Sequence, residues 1–252
     1  LVVIGNGMAA TRFVEELTTR ALGRYAVAMI GEEPRLAYNR VLLSALLADE
    51  VGFDDIELRP ARWWRDRGVT LRYGVRATAV DAAMRGVDEV HHLAFVNGTA
   101  TFYSQPDLVL DVGVKGIVNV IDACRRHGVG RLVLASSSEV YQSPPHVPTD
   151  ERAPLVVPDP LNPRLSYGAG KIISEMMAIN YGRRHFERVL IFRPHNVYGP
   201  DMGFDHVIPQ FAVRLKRTID AQASGPLSFD IQGSGEETRS FCHVDDLVQG
   251  VM

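Results

Sequence analysis

The chain has 252 residues, 46% of them apolar and 23% charged, with 22 Gly and 14 Pro, which excludes a disordered or collagen-like chain and suffices for a buried core. Its 27 Lys and Arg against 30 Asp and Glu leave a formal net charge of −3 with no long run of either sign, so neither nucleic acid nor a membrane surface is an expected partner. Cys124 and Cys242 lack the spacing of a disulfide framework or a structural zinc site, and no apolar run reaches the roughly 20 residues of a membrane span, so a cytoplasmic protein without a metal is expected.

Short β-branched runs alternate with longer amphipathic segments, which predicts an α/β fold: a Rossmann-like, doubly wound parallel sheet with helices on both faces. The chain opens in a strand over 1–5 and a helix over 8–22, then a second strand over 25–31. Residues 33–85 are less regular, broken by Pro34 and Pro60, with a short helix from Ala61 to Arg67 stopped by Gly68. A strand over 88–95, a helix over 105–127, a strand over 130–136, a helix over 163–183 and a strand over 187–193 complete a dinucleotide-binding unit spanning 1–195. From 196 the pattern changes to loops punctuated by Gly and Pro, a helix near 206–220 and a short alternating strand from Leu227 to Ile231. That segment, 196–252, reads as a small substrate-binding lobe. The start inside the apolar run Leu1–Ile4, and the stop at Val251-Met252 inside a helical pattern, read as a fragment at both ends.

In such sheets ligands bind at the carboxyl ends of the strands, so motifs just after a strand carry the most information. Gly5-Asn6-Gly7-Met8-Ala9-Ala10 ends the first strand and opens a helix. Gly5 permits a tight turn, Gly7 lets a pyrophosphate approach the backbone, and Ala10 keeps helix and strand close, while the free helix amides attract phosphate. Glu32, after the second strand, is placed to accept hydrogen bonds from an adenosine ribose. An ordinary glycine turn and a solvated glutamate would leave the same pattern.

Tyr167-Gly168-Ala169-Gly170-Lys171 places a phenol and an ammonium one helical turn apart, where the lysine charge is expected to favour phenolate and make Tyr167 an acid/base near neutral pH. Ser136-Ser137-Ser138-Glu139 directly follows a strand, so a serine hydroxyl can bond the same substrate oxygen; a polar turn and a surface pair are the plainer alternatives. Arg193-Pro194-His195-Asn196 follows another strand. Asn196 offers an amide and Arg239 a planar five-donor fork, chemistry suited to a diphosphate. Either could equally stabilise a loop. His91 and His92 are strand neighbours facing opposite ways and cannot easily share a metal. Trp63-Trp64 reads as packing, and Cys242 has no visible activating base.

From about Val87 onward the chain resembles the extended short-chain dehydrogenase/reductases, the NAD-dependent nucleotide-sugar epimerase/dehydratase family. The resemblance is carried by His92-Leu93-Ala94, Gly116 with Asn119, Ser136 to Tyr141, Tyr167 to Lys171, Arg193 to Pro200 and Arg239 to Asp246. It implies Tyr167 as the general acid/base, Lys171 as the group that holds the nicotinamide ribose and lowers the phenol pKa, and Ser137 as support for the reacting oxygen. It further implies Leu93, Ala94 and Pro194 along the cofactor, Ser138, Glu139, Asn196 and Arg239 toward a nucleotide-diphosphate sugar, and a homodimer through the helices at 105–127 and 163–183. The family's dehydratases generally carry Thr-Asp-Glu where this chain has Ser137-Ser138-Glu139, which favours epimerisation, while Glu139 keeps decarboxylation open.

Residues 1–81 do not fit that family, whose opening motif is spaced GxxGxxG after a strand. Leu1 to Ala10, Gly31 to Pro34 and Tyr38 to Ser44 instead resemble the start of the FAD domain of flavin-dependent pyridine-nucleotide oxidoreductases, in particular the large subunit of NAD(P)H nitrite reductase. A junction between two Rossmann proteins near 81–87 is therefore expected. The leading expectation is an NAD enzyme that transiently oxidises a nucleotide-linked sugar to a ketone. The alternatives are an FAD-binding fragment using Gly5, Gly7, Glu32 and Arg40, and a catalytically silent nucleotide-binding module.

Overall fold

A computed structural model describes residues 1–21, 23–39, 42, 46, 49–75, 84–200, 202, 206–221, 225–228, 230–231 and 233–252. Arg40 and Ser44 of the flavoprotein-like motif, and residues 81–83 at the expected junction, lie outside the described residues.

Six parallel strands form one sheet: β1 (Val2–Ile4), β2 (Ala28–Ile30), β3 (Thr70–Arg72), β4 (Glu89–His92), β5 (Arg131–Ala135) and β6 (Arg188–Phe192), in the order β3-β2-β1-β4-β5-β6. Helix α1 (Met8–Arg20) links β1 to β2, and the chain then crosses over α2 (Phe53–Ile56) and α3 (Ala61–Asp66) to the edge strand β3. Between β4 and β5 run α4 (Thr99–Ser104), α5 (Pro106–Leu110), a π-helical turn Asp111–Lys115 and α6 (Gly116–His127); α7 (Ser166–His185) leads into β6. The order reverses between β1 and β4, with Val2 paired to both Ala28 and Val90, which makes the carboxyl ends of these two strands the switch point of the sheet.

Strand alternation sorts the core into two layers. Val2, Ile4, Val90, Leu132 and Leu134 face α6, whose Ile117, Val120 and Ile121 are fully buried. Val3, Met29 and Val133 face the other way, onto Phe13, Val14 and Leu17 of α1. Each such side chain contributes about 1.5–3 kcal/mol by leaving water. Gly128 ends α6 in the left-handed region at φ 68°, its backbone bonding back to Cys124.

The five strands predicted up to residue 193 and the helices over 8–22 and 163–183 are present with ends shifted by a few residues, while the helix over 105–127 is interrupted by the π-helical turn. The edge strand β3 was not legible, because only Leu71 of its three residues packs on the core, between exposed Thr70 and Arg72. The alternating segment Leu227–Ile231 is not a strand in its described residues; Leu227 and Ile231 stay 41% and 43% exposed, with no sheet to pack on. Instead β7 (Asn196–Tyr198) and β8 (Phe241–His243) pair in parallel as a separate two-stranded sheet. Helix α8 (Val207–Ala221) buries none of its residues, whereas α9 (Val244–Val251) returns to the main core through Val244, Val248 and Val251 and is tied to α1 by Arg12 to Asp245 at 2.8 Å.

Candidate active site

The glycine turn sits at the switch point. Gly5 has φ +116°, a conformation glycine adopts without penalty, and donates its N–H to the Ile30 carbonyl at 2.7 Å. A Cβ added there would stand 3.4 Å from the backbone nitrogen of Ala94, so the turns after β1 and β4 lie side by side. Gly7 is the N-cap of α1, with no side chain capping the helix and nothing within 4 Å of where its Cβ would be. The first amides of α1 therefore face open space at the positive end of the helix dipole, an arrangement that fits a dinucleotide pyrophosphate. Ala10, 3% exposed, seats the helix on the sheet, and Glu32 is exposed just past β2.

On the far side of the switch point, α7 begins one residue before Tyr167. Asn162 accepts from the Arg164 backbone at 3.0 Å and caps the short turn leading into it. Gly168 explains the closeness of the next contact: a Cβ there would meet the Glu139 carbonyl at 3.0 Å, so only a bare backbone lets α7 press against the turn after β5. That approach brings the Tyr167 phenol to the Ser137 hydroxyl. Phe102 stacks on the Tyr167 ring at 5.0 Å, and Phe95 meets it edge-on at 5.1 Å.

The three serines divide their work. Ser136, 3% exposed, bonds the carboxylate of Glu175; Ser137 accepts from the Glu139 backbone at 3.2 Å and faces the phenol; the Ser138 backbone donates to Pro194 at 3.0 Å, tying the end of β5 to the end of β6. Glu139 pairs with Arg164 at 3.0 Å. Behind them, Glu175 (1% exposed) is held by Arg193, which also reaches the Tyr141 hydroxyl at 2.7 Å.

Lys171 is 3% exposed and donates from Nζ to the Ala135 carbonyl at 2.6 Å. Burial pushes its pKa down to about 7, against the opposing attraction of Glu175. Its neighbour across the sheet layer is His92, held down to about 3 by burial first and the lysine charge second, so the imidazole is neutral. Against the expected lowering by the ammonium, burial raises the Tyr167 phenol, offset in part by Ser137, while Lys171 donates to Ala135 with its Nζ 5.6 Å from the centre of the phenol ring.

Leu93 and Ala94 lie half-buried after β4, and Pro194 after β6. Asn196 is exposed, and its amide donates to the Ser240 carbonyl at 2.9 Å, so β7 and the segment holding Arg239 are joined. Arg239 is exposed and bonds the Thr238 carbonyl at 2.7 Å. Among the described residues neither Asn196 nor Arg239 hydrogen-bonds Ser137, Tyr167 or Lys171.

The remaining motifs behave as packing. His91 bonds Glu89 at 2.7 Å and lies against Phe13, on the opposite face of β4 from His92. Trp64 is 1% exposed and Trp63 carries Arg67 over its ring. Burial pushes the Cys124 thiol up to about 12. Sequence reading missed Phe95, Phe102 and the Glu175–Arg193 pair. Arg193 stood in a motif already noted but without a role, and Glu175 stands one turn beyond Lys171 on the same helix.

Several known proteins are similar to this chain in sequence or in fold. The chain is 32% identical over 178 residues to UDP-glucuronic acid decarboxylase 5 of Arabidopsis thaliana, covering 71% of this chain and 50% of that protein. It is 33% identical over 188 residues to dTDP-glucose 4,6-dehydratase of Streptomyces antibioticus, covering 74% and 52%. It thus spans about half the length of the curated relatives it matches. Among solved structures, a double mutant of the dTDP-glucose 4,6-dehydratase DesIV from Streptomyces venezuelae with NAD bound matches with a TM-score of 0.72 and 25% identity, over 100% of this chain and 70% of the other. The likeness therefore includes the first strand–helix unit of the chain. The model of the NAD dependent epimerase/dehydratase family matches residues 41–252, starting ahead of the junction expected at 81–87, and the chain belongs to that family.

Proposed function

We propose that this chain carries the cofactor-binding and acid–base machinery of an NAD-dependent enzyme that transiently oxidises a hydroxyl of a nucleotide-linked sugar. The observation that carries the reading is the close approach of α7, at Gly168 beside Tyr167, to the turn holding Ser137 at the carboxyl end of β5, with Lys171 one turn further along α7. The names of the relatives, which specify UDP-glucuronic acid and dTDP-glucose, support a nucleoside-diphosphate hexose as the substrate class.

The residues present fit the dinucleotide. Gly5, Gly7 and Ala10 would hold its pyrophosphate against α1, Glu32 its adenosine ribose, and Leu93, Ala94 and Pro194 the walls beside it. NAD, when bound, supplies the acceptor and later the donor of hydride. Ser137 bonds the reacting sugar oxygen, and Tyr167 exchanges the proton of that oxygen. Because burial raises the phenol, Tyr167 holds its proton at neutral pH and is poised to protonate a ketone oxygen; accepting a proton from a sugar hydroxyl requires the phenolate and is favoured as pH rises. Lys171, pushed down to about 7 by burial, supplies a charge that is present below neutral pH and lost above it. Residues 196–252, with Asn196 and Arg239 joined through Ser240, contribute the diphosphate side, and Ser138 and Glu139 the sugar side. A second copy docks on α5 and α7, where Leu108, Ile173 and Met176 are 40%, 38% and 58% exposed. Neither the family match nor the NAD-bound neighbour supports the flavin alternative.

The test is Tyr167→Phe, assayed with NAD on UDP- and dTDP-hexoses, with sugar products read by NMR. Loss of about 10²–10⁴-fold in turnover is expected. A parent chain that turns over no nucleotide sugar, or a variant as active as the parent, overturns the reading.

A further inference from the structure

Phe95 stands three residues past the end of β4, and its ring occupies a slot made by two missing side chains. A Cβ on Gly113 would lie 2.1 Å from its Cζ, and one on Gly170 would lie 2.9 Å from the same atom. Gly113 is buried at the middle of the π-helical turn Asp111–Lys115, a wide and uncommon backbone form that recurs at functional sites. Gly170 belongs to α7, between Tyr167 and Lys171. Two helices have thus been stripped bare where this one ring enters. Its edge meets Tyr167 at 5.1 Å, and the Lys171 Nζ lies 4.2 Å from the ring centre.

We propose that Phe95 is a positioning residue: locked between Gly113 and Gly170, its ring holds the Lys171 ammonium over its face and keeps the Tyr167 phenol turned toward Ser137. The proposal rests on the Tyr167–Lys171 pair being the acid–base machinery, but its physical content stands without turnover. A cation over an aromatic face is attracted by the ring quadrupole, most strongly where water is excluded. The same ring keeps water from that side of the ammonium, leaving the Ala135 carbonyl as its hydrogen-bond acceptor. The other groups around Lys171 are Glu175 on α7, which favours its charge and is itself paired with Arg193, neutral His92 on β4, and the Tyr167 phenol. Asp111 and Lys115 of the π turn pair with each other at 2.7 Å on the surface.

The chain holds three lysines, Lys115, Lys171 and Lys216, of which the first and last have side chains 72% and 76% exposed. The titration of Lys171 can therefore be followed alone by NMR of lysine labelled with ¹³C at Cε. Phe95→Leu keeps the apolar volume but removes the π face, so the Lys171 midpoint should fall by about one pH unit. Phe95→Ala admits water, so the midpoint should rise toward that of the two exposed lysines. If Leu and Ala both leave it unmoved, the ring merely packs and the proposal fails. Should Phe95→Ala not fold, Phe95→Leu decides alone: a midpoint that does not fall overturns the proposal. A parent inactive on nucleotide sugars, whose Lys171 midpoint nonetheless follows these substitutions, would sink the proposed activity and leave the role of Phe95 standing.

Discussion

Arg193 holds both oxygens of the Glu175 carboxylate, with Nε 2.9 Å from Oε1 and Nη2 2.6 Å from Oε2. The pair joins the end of β6 to the helix that carries Tyr167 and Lys171, and Ser136 adds the end of β5 to the same carboxylate. Removing one member of a buried ion pair leaves the other charge unpaired in a place poor in water. Glu175→Ala should therefore lower the unfolding free energy by about 3–5 kcal/mol in urea titration, and Glu175→Gln, which keeps hydrogen-bonding atoms, by less. Equal stability of Glu175→Ala and parent would show that the pair does not hold these elements together.

Acid should unfold the protein through His92 and Glu89. The folded-state pKa of His92, about 3, lies below its ordinary 6.5, so between those values the unfolded chain binds more protons and stability falls as pH drops from 6.5 toward 3. Glu89, lowered to about 2 chiefly by its bond to His91, adds stability above 4.5 that is lost on descending toward 2. His92→Leu should flatten the slope of stability between pH 6.5 and 3 by up to about 1.4 kcal/mol per pH unit. The slope is measurable by thermal melts across that range. An unchanged slope would mean that His92 is not buried as a neutral imidazole.

The glycine turn can be tested without disturbing the fold. Gly7 has φ −79° and nothing within 4 Å of a new Cβ, so Gly7→Ala should leave the melting temperature nearly unchanged. It should still weaken NAD about tenfold in calorimetric titration, roughly 1.4 kcal/mol, because the added methyl points where the pyrophosphate must approach. Gly5→Ala differs: at φ +116° it should cost stability as well as affinity, by about 1–3 kcal/mol. Undiminished NAD affinity in Gly7→Ala would remove the pyrophosphate from this turn.

Sequence alone determined the alternation of strands and helices, the glycine turn after β1 and the i, i+4 spacing of Tyr167 and Lys171, because each depends on periodicities of only a few residues. It also marked the serine run as standing just past a strand. Which serine faces the phenol came only from the family resemblance, and what the sequence could not supply is why α7 carries Gly168 and Gly170, and what fills the space they leave. Those answers lie in Glu139, Phe95 and Glu175, which come from different elements and meet only when the sheet closes. The sign of the Tyr167 shift belongs to the tertiary structure too. Spacing placed a charge near the phenol, but burial, and the direction in which Lys171 points, decide how strongly that charge is felt.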